Sequence, residues 1–266
     1  MDLAEYDWMR FSAGLTIRDK KGSNKCMDLI IYGTISVKAV LEEKKRPALE
    51  LLVNPKKRSK DIGYIIAIAK AQNVPVTFLP KEEMNQIAPA NGGVILKTQS
   101  RVLPELMTDT DLSGLCVYIS GVEDPYNLGS IARTLYAAGA SLMIIQKRDW
   151  SASAAILLRS SAGAWERLPI VTIEKDEQLI AIAEQQQRPI WSAARDEGAR
   201  SLFETKLPED VLLAIGGAMR GLSSRILNES QEHLYIPYGR EFSNALDSVS
   251  AAAVFSFWWT SAHCSS

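Results

Sequence analysis

Short apolar runs closed by turn residues alternate with segments of helical spacing along most of this chain. That alternation is the strongest constraint on its fold. From Leu29 the pattern is continuous. Tyr32-Gly33 opens a helix that ends near Lys44-Lys45-Arg46, and residues 49–53 read as a strand. The basic turn Asn54-Pro55-Lys56-Lys57-Arg58 follows. Residues 61–72 place Ile62, Ile65, Ile66, Ile68 and Ala69 at helical spacing. Residues 74–79 read as a strand, 81–87 as a short helix, and Gly92-Gly93-Val94-Ile95-Leu96 as a turn into a strand. Residues 28–104 thus form a small α/β unit, long enough to fold by itself, behind a charged leader arm at 1–27. Pro104 with two Asp and two Thr marks 101–113 as a connector. The alternation then restarts over 105–266. Strands are expected at 115–120, 142–145, from 170, at 189–192, 212–215 and 234–236. Helices are expected at 127–138, 152–160, 177–186 and 248–258. Strands bracketed by helices imply a parallel sheet covered on both faces.

The counts exclude several chemistries. Two His, His233 and His263, are too few for a His-rich metal site, so no metal is expected. Cys26, Cys116 and Cys264 form no CxxC pair, which points to a reducing compartment. The N-terminus lacks a charged-then-apolar signal pattern, and the apolar run 251–259 falls short of the roughly 18 residues of a membrane span. The expected location is the cytoplasm. Residues 1–104 carry 17 Lys and Arg against 11 Asp and Glu, and the remainder 13 against 20. A basic front on an acidic back fits a polyanion-binding module joined to a second unit, and ordinary surface scatter accounts for the same numbers.

Three segments could carry chemistry. The first runs from Gly121 through Asp124, Pro125, Asn127, Gly129 and Arg133 to Gly139-Ala140. It leaves a strand's carboxyl end and enters a helix, where α/β folds bind ligands. Arg133 lies four residues after Gly129, about one helical turn, and can point to the same mouth. A capped helix whose arginine meets a surface carboxylate reads the same way. The second is an apolar strand running into Gly216-Gly217, with Gly221 beyond. It offers bare amides to a ligand but matches neither GxGxxG nor a P-loop. The third runs from Ile236-Pro237 through Tyr238-Gly239-Arg240 and Ser243-Asn244-Ala245-Leu246-Asp247 into the small-residue stretch ending at Ala253.

In this order the three segments resemble the SpoU (TrmH-like) branch of the SPOUT RNA methyltransferases. The family's Asn-x-Gly-x-x-x-Arg, followed by small residues and Gly, stands here as Asn127, Gly129, Arg133 and Gly139. Arg159-Ser160-Ser161-Ala162-Gly163-Ala164 is similar to its Ser-Ala-Gly-Ala segment. The resemblance covers about 112–259. The front unit resembles a small ribosomal-protein-like α/β domain that docks RNA.

The resemblance implies a parallel sheet whose C-terminal part is tied into a deep trefoil knot holding S-adenosyl-L-methionine. It implies a homodimer with its active site at the interface, acting on a ribose 2′-hydroxyl of ribosomal or transfer RNA. Gly216, Gly217, Gly221, Ile236 and Leu246 would hold the cofactor. Arg133 would orient the hydroxyl and clamp phosphate rather than act as a literal base, because a guanidinium keeps its proton at neutral pH. Asn127 would fix the loop and the nucleotide. Lys44, Lys45, Arg46, Lys56, Lys57, Arg58 and Lys60 would track phosphates, or form a plain solvated face. Two positions depart from the family pattern. Ala218 stands where Glu is usual, and Ala245-Leu246-Asp247 where Ser-Leu-Asn is usual. Three readings stay open: an active 2′-O-methyltransferase, a catalytically weak or lapsed RNA-binding paralogue, and an unrelated α/β enzyme. Ser243 or Asn244 could replace the serine, and Glu123 or Asp124 the glutamate.

Overall fold

The computed structural model describes residues 28–217 and 219–263. The leader arm, Cys26, Ala218 and Cys264 lie outside the described residues. Contacts divide the chain into two compact units. The first runs to Val102 and includes Asp149–Arg159. The second comprises Leu103–Arg148 and the chain from Ser160 onward.

In the first unit the elements are β1 (Leu29–Tyr32), α1 (Thr34–Glu43), β2 (Ala48–Val53), α2 (Lys60–Ala71), β3 (Val76–Phe78), α3 (Lys81–Ile87) and β4 (Val94–Thr98). They form a four-stranded mixed sheet in the order β1-β4-β2-β3, with β4 antiparallel to both neighbours and β2 parallel to β3. Helix α1 stops where Lys44 turns left-handed at φ 54°. Helix α2 starts at Ser59, whose hydroxyl accepts from the Ile62 amide at 3.2 Å, a cap worth about 1 kcal/mol. The expected strand at 74–79 shrinks to three paired residues.

Segment Asp149–Arg159 groups with this first unit, although the alternation assigns it to the second. Arg159 donates to the Tyr32 hydroxyl at 2.9 Å and lies 5.2 Å from the centre of that ring.

The second unit is built on β5 (Leu115–Ser120), α4 (Pro125–Ala137), β6 (Leu142–Gln146), α6 (Ala164–Arg167), β7 (Ile170–Ile173), α7 (Asp176–Gln185), β8 (Ile190–Ala193), β9 (Arg200–Ser201), β10 (Val211–Gly216), α8 (Ser224–Glu229), β11 (Glu232–Tyr235) and α9 (Ser248–His263), while α5 (Ala154–Ser160) falls in the first unit in all but its last residue. Its seven strands run in the order β7-β6-β5-β10-β8-β11-β9, and every adjacent pair is parallel. Strand β5 is buried along its whole length and β10 in all but its last residue, as central parallel strands demand. One core gathers Tyr118, Ile144, Ala214, Ile226 and Leu179. Burial pushes the thiol of Cys116 in β5 up to about 11.

The expected connector is part of this unit. Leu106 and Leu112 are buried in its core. Thr172 donates its amide to the Pro104 carbonyl at 2.8 Å, and Leu106 returns a bond to Thr172 at 2.9 Å. This stretch therefore covers the open edge of β7, where unpaired strand groups would otherwise face water.

Candidate functional site

The chain order places the site. Strands β5, β6 and β7 step outward in sequence, β8 starts the other half, and β10 inserts between β5 and β8. The crevice at the carboxyl ends, where strand order reverses, is where open α/β sheets hold ligands. The register Gly216↔Ser120 brings β5 and β10 to an end side by side.

A cavity of about 190 Å³ opens there. It is lined by Ala193, Ala194 and Arg195 after β8, by Ile215, Gly216, Gly217 and Gly221 at the end of β10, and by Leu234, Tyr235, Ile236 and Tyr238 around the end of β11. Ala245, Leu246, Ala251 and Phe255 close it from the third segment and α9. All five residues expected to hold a cofactor, Gly216, Gly217, Gly221, Ile236 and Leu246, thus line one cavity.

The two glycines at its floor are demanded by backbone packing. A methyl on Gly217 would sit 2.5 Å from the Gly121 carbonyl oxygen, and one on Gly216 would sit 2.6 Å from the Leu222 nitrogen. Gly221 donates to the Gly217 carbonyl at 2.8 Å and closes the turn. That turn projects Met219, which is 98% exposed, and Arg220 into solvent. Beyond it, Ser223 caps α8 and also donates to Asp176 at 2.5 Å, the carboxylate that takes the Tyr118 hydroxyl at 2.6 Å. The turn is therefore anchored to the centre of the sheet.

The third segment folds over the cavity on a small set of bonds. Tyr238 accepts from the Leu246 amide at 3.0 Å. Arg195 lies 4.4 Å from the Tyr238 ring centre and donates to the carbonyls of Phe242 at 3.3 Å and Asn244 at 3.4 Å. Ser248 donates to the Gly216 carbonyl at 3.0 Å, joining the second and third segments directly. Asp247 caps α9 by accepting from the Ser250 amide at 2.9 Å and hydroxyl at 2.7 Å, and these bonds hold its carboxyl below the usual range.

Arg133 and Asn127 do not line this cavity. Both are exposed on α4, whose first turn follows Gly121 and so begins beside Gly217. Arg133 makes no ion pair or hydrogen bond with a described residue. Asp124 accepts from the Asn127 amide at 2.9 Å to cap α4, and Glu123 lies 3.7 Å from Arg148. Neither carboxylate is among the residues that line the cavity. Ser243 and Asn244 are exposed and outside the lining, while Ala245 within it carries no hydroxyl. Ser160 and Ser161 hold the Ser-Ala-Gly segment in place. The first donates to the Pro125 carbonyl at 3.4 Å and the second accepts from the Trp165 amide at 3.1 Å.

The expected phosphate-tracking cations divide. Arg46 is a correction: it is only 6% exposed, so its guanidinium is turned into the first unit and is not presented to a polyanion. Lys45 is exposed but 3.7 Å from Glu43. Lys44, Lys56, Lys57, Arg58 and Lys60 are exposed.

The family model described as the SpoU rRNA methylase family matches residues 114–257, more than half of the chain. The chain belongs to the SpoU rRNA methylase family. A second model, RNA 2′-O ribose methyltransferase substrate binding, matches residues 30–101. Among curated relatives, the 23S rRNA (guanosine-2′-O-)-methyltransferase RlmB of Pectobacterium atrosepticum is 26% identical over 233 residues, spanning 84% of this chain and 94% of that protein. The putative TrmH family tRNA/rRNA methyltransferase YacO of Bacillus subtilis is 24% identical over 197 residues, 70% of this chain and 78% of that one. Among solved structures, the SpoU methyltransferase AviRb from Streptomyces viridochromogenes in complex with AdoMet superposes with a TM-score of 0.73 at 19% identity, covering 91% and 93% of the two chains. Arg195 and Phe255 line the cavity outside the three motif segments, and Tyr238 lies within the third without a role read from the motif. The signal for Arg195 was its place just after an expected strand, at the same sheet end as the two motifs.

Proposed function

We propose that this SpoU family chain is an S-adenosyl-L-methionine-dependent RNA 2′-O-methyltransferase acting on ribosomal RNA. One observation carries this reading: the second and third segments converge on a single cavity at the carboxyl ends of β8, β10 and β11. Its residues suit the cofactor. Gly216 and Gly217 present backbone with no side chain in the way, and Ile236, Leu246 and Phe255 offer apolar walls to a purine ring. Bound there, the cofactor supplies an electrophilic methyl group on a sulfonium.

The chain's own groups do the rest. Arg133 orients the 2′-hydroxyl and neutralises a neighbouring phosphate, and Asn127 holds the nucleotide at the first turn of α4. Arg195 and Tyr238 keep the third segment folded over the cavity. Exposed Lys56, Lys57 and Arg58, with Lys44, bind RNA phosphates in the first unit. We further read the molecule as a homodimer. Helices α4 and α9 pack on each other, yet leave Tyr126, Tyr136 and Phe257 about half exposed or more. Arg133 lies outside its own chain's cavity, which suits a site completed by a second copy. No described helix is long and apolar enough to cross a membrane; we place the enzyme in the cytoplasm, with its RNA.

The opposing reading is a paralogue that binds cofactor with little turnover. It rests on Ala245, which puts a methyl in the cavity where the family has a hydroxyl. Calorimetric titration with S-adenosyl-L-methionine, followed by transfer of labelled methyl to ribosomal RNA, separates the two. Micromolar binding with transfer supports the enzyme. Binding without transfer to any RNA supports the paralogue, and absence of both removes the cofactor site.

A further inference from the structure

We propose that the first unit captures one unstacked nucleotide of the RNA in a groove between the β2–α2 turn and the end of β3. The base lies on Phe78 and the adjoining phosphate on Lys57 and Arg58. This deepens the RNA methyltransferase reading and rests on it. The groove encloses about 550 Å³, and Val53, Asn54, Lys57, Arg58, Ile62 and Phe78 are among its walls.

Three observations converge. Phe78 ends the edge strand β3 and pairs in register with Val53 of β2. Val53 and Ile62 are buried, whereas Phe78 is 55% exposed. A large aromatic ring thus stands in solvent beside an apolar floor, a surface that a flat apolar face can cover. The collar of this groove is cationic. Residues 54–60 hold Lys56, Lys57, Arg58 and Lys60 with no acidic residue. All four side chains are exposed, and none forms an ion pair with a described residue. Finally, Lys57 is held in place. Its stem crosses Gly93 so closely that a methyl there would fall 2.8 Å from Lys57 Cγ. Asn54, nearly buried, accepts from the Lys56 amide at 2.9 Å and fixes the turn.

An aromatic face beside unpaired cations matches the two parts of a nucleotide. It does not match a duplex, whose bases are stacked away, nor a plain acidic peptide, which has no use for Phe78. Phosphate tracking alone would need the lysines but neither the ring nor the groove. Single-stranded RNA binders combine these elements, with stacking sequence-tolerant because every base has a π-face.

The test uses the full-length chain, fluorescence anisotropy, and two labelled RNAs, a single-stranded 12-mer and a hairpin duplex. Phe78→Ala should weaken single-strand binding about tenfold, leave the duplex within about twofold, and Phe78→Trp should restore it. The double variant Lys57→Ala, Arg58→Ala should weaken both RNAs and flatten the salt dependence of each. In the wild-type chain, a 4-thiouridine-containing 12-mer should photo-cross-link within the groove peptides, an outcome that needs no variant to fold. Equal losses for both RNAs in Phe78→Ala, or cross-links confined to other segments, would overturn the nucleotide site while leaving RNA binding intact. A wild-type chain that binds neither RNA, or binds an acidic peptide instead, would overturn the RNA reading and the site with it.

Discussion

Replacing Gly217 by alanine tests the site at its tightest point. The added methyl would lie 2.5 Å from the Gly121 carbonyl oxygen, 2.9 Å from its carbon and 3.3 Å from the Ser120 oxygen. Ordinary contact begins near 3.4 Å, so the ends of β5 and β10 must part by about 0.9 Å. All three obstructing atoms are backbone, and the parallel register Gly216↔Ser120 holds them; no side chain can swing aside. Overpacking of this kind costs about 1–3 kcal/mol. Taking about 2 kcal/mol, the melting temperature should fall by roughly 4–8 °C for a chain of this size. The same displacement opens the cavity floor, and losing about 1.4 kcal/mol of cofactor contact is a tenfold weaker Kd. Scanning calorimetry and titration with S-adenosyl-L-methionine measure both. Gly239→Ala serves as the control, since a methyl there meets nothing within 4 Å. A Gly217→Ala protein with wild-type melting temperature and wild-type cofactor affinity would refute both the close approach and the placing of the cofactor against it.

Other predictions follow from the same geometry. Arg133→Ala should lower methyl transfer to RNA by about a hundredfold or more while cofactor Kd and melting temperature stay unchanged, because Arg133 lies outside the cavity; full activity would end its assigned role. Asp247→Ala should cost about 1 kcal/mol, some 2–4 °C in melting temperature, whereas Asp247→Asn, which caps equally well, should cost little. Since the Ser250 bonds lower the Asp247 carboxyl, its stabilisation is present at neutral pH and fades as pH falls through that lowered value; equal losses at pH 7 and pH 2 would contradict this. Hydrogen bonding to Asp196 raises His233 above its ordinary 6.5. That pair therefore stabilises the fold fully below 6.5 and progressively less as pH rises through the raised value, so Asp196→Asn should lower the melting temperature more at pH 6 than at pH 9. Phe257→Glu should yield monomers in light scattering and abolish transfer while leaving cofactor binding in place, the cavity being formed within one chain; a stable, active dimer would exclude α9 from the interface.

Much of the fold was legible from periodicity. The buried runs of β5 and β10 and the glycine-ended helix at α4 announce themselves because central parallel strands are apolar on both faces and helices carry caps. Less was legible where tertiary contact decides. Strand β9 and helix α8 are too short to show a period. The stretch 103–113, polar enough to read as a linker, is held to the edge of β7 by backbone bonds that leave no sequence trace. Arg46 shares a run with Lys44 and Lys45, yet it alone is buried, since a side chain's direction at the end of a helix depends on the chain's exit angle.

The sequence by itself determined the class of this molecule. Motif spacing fixes which residues follow strand ends, and strand ends are where a parallel sheet leaves backbone unsatisfied and open to a ligand. Only the tertiary structure decided which of those residues meet. Gly216, Gly217, Gly221, Ile236 and Leu246 share one cavity because β10 inserts beside β5 and β8 after the chain has already built both. Arg133 and Asn127, equally prominent as motifs, ride a helix that leaves them at the surface. Adjacency across a sheet is set by the order in which strands pair, and local spacing carries no record of that order.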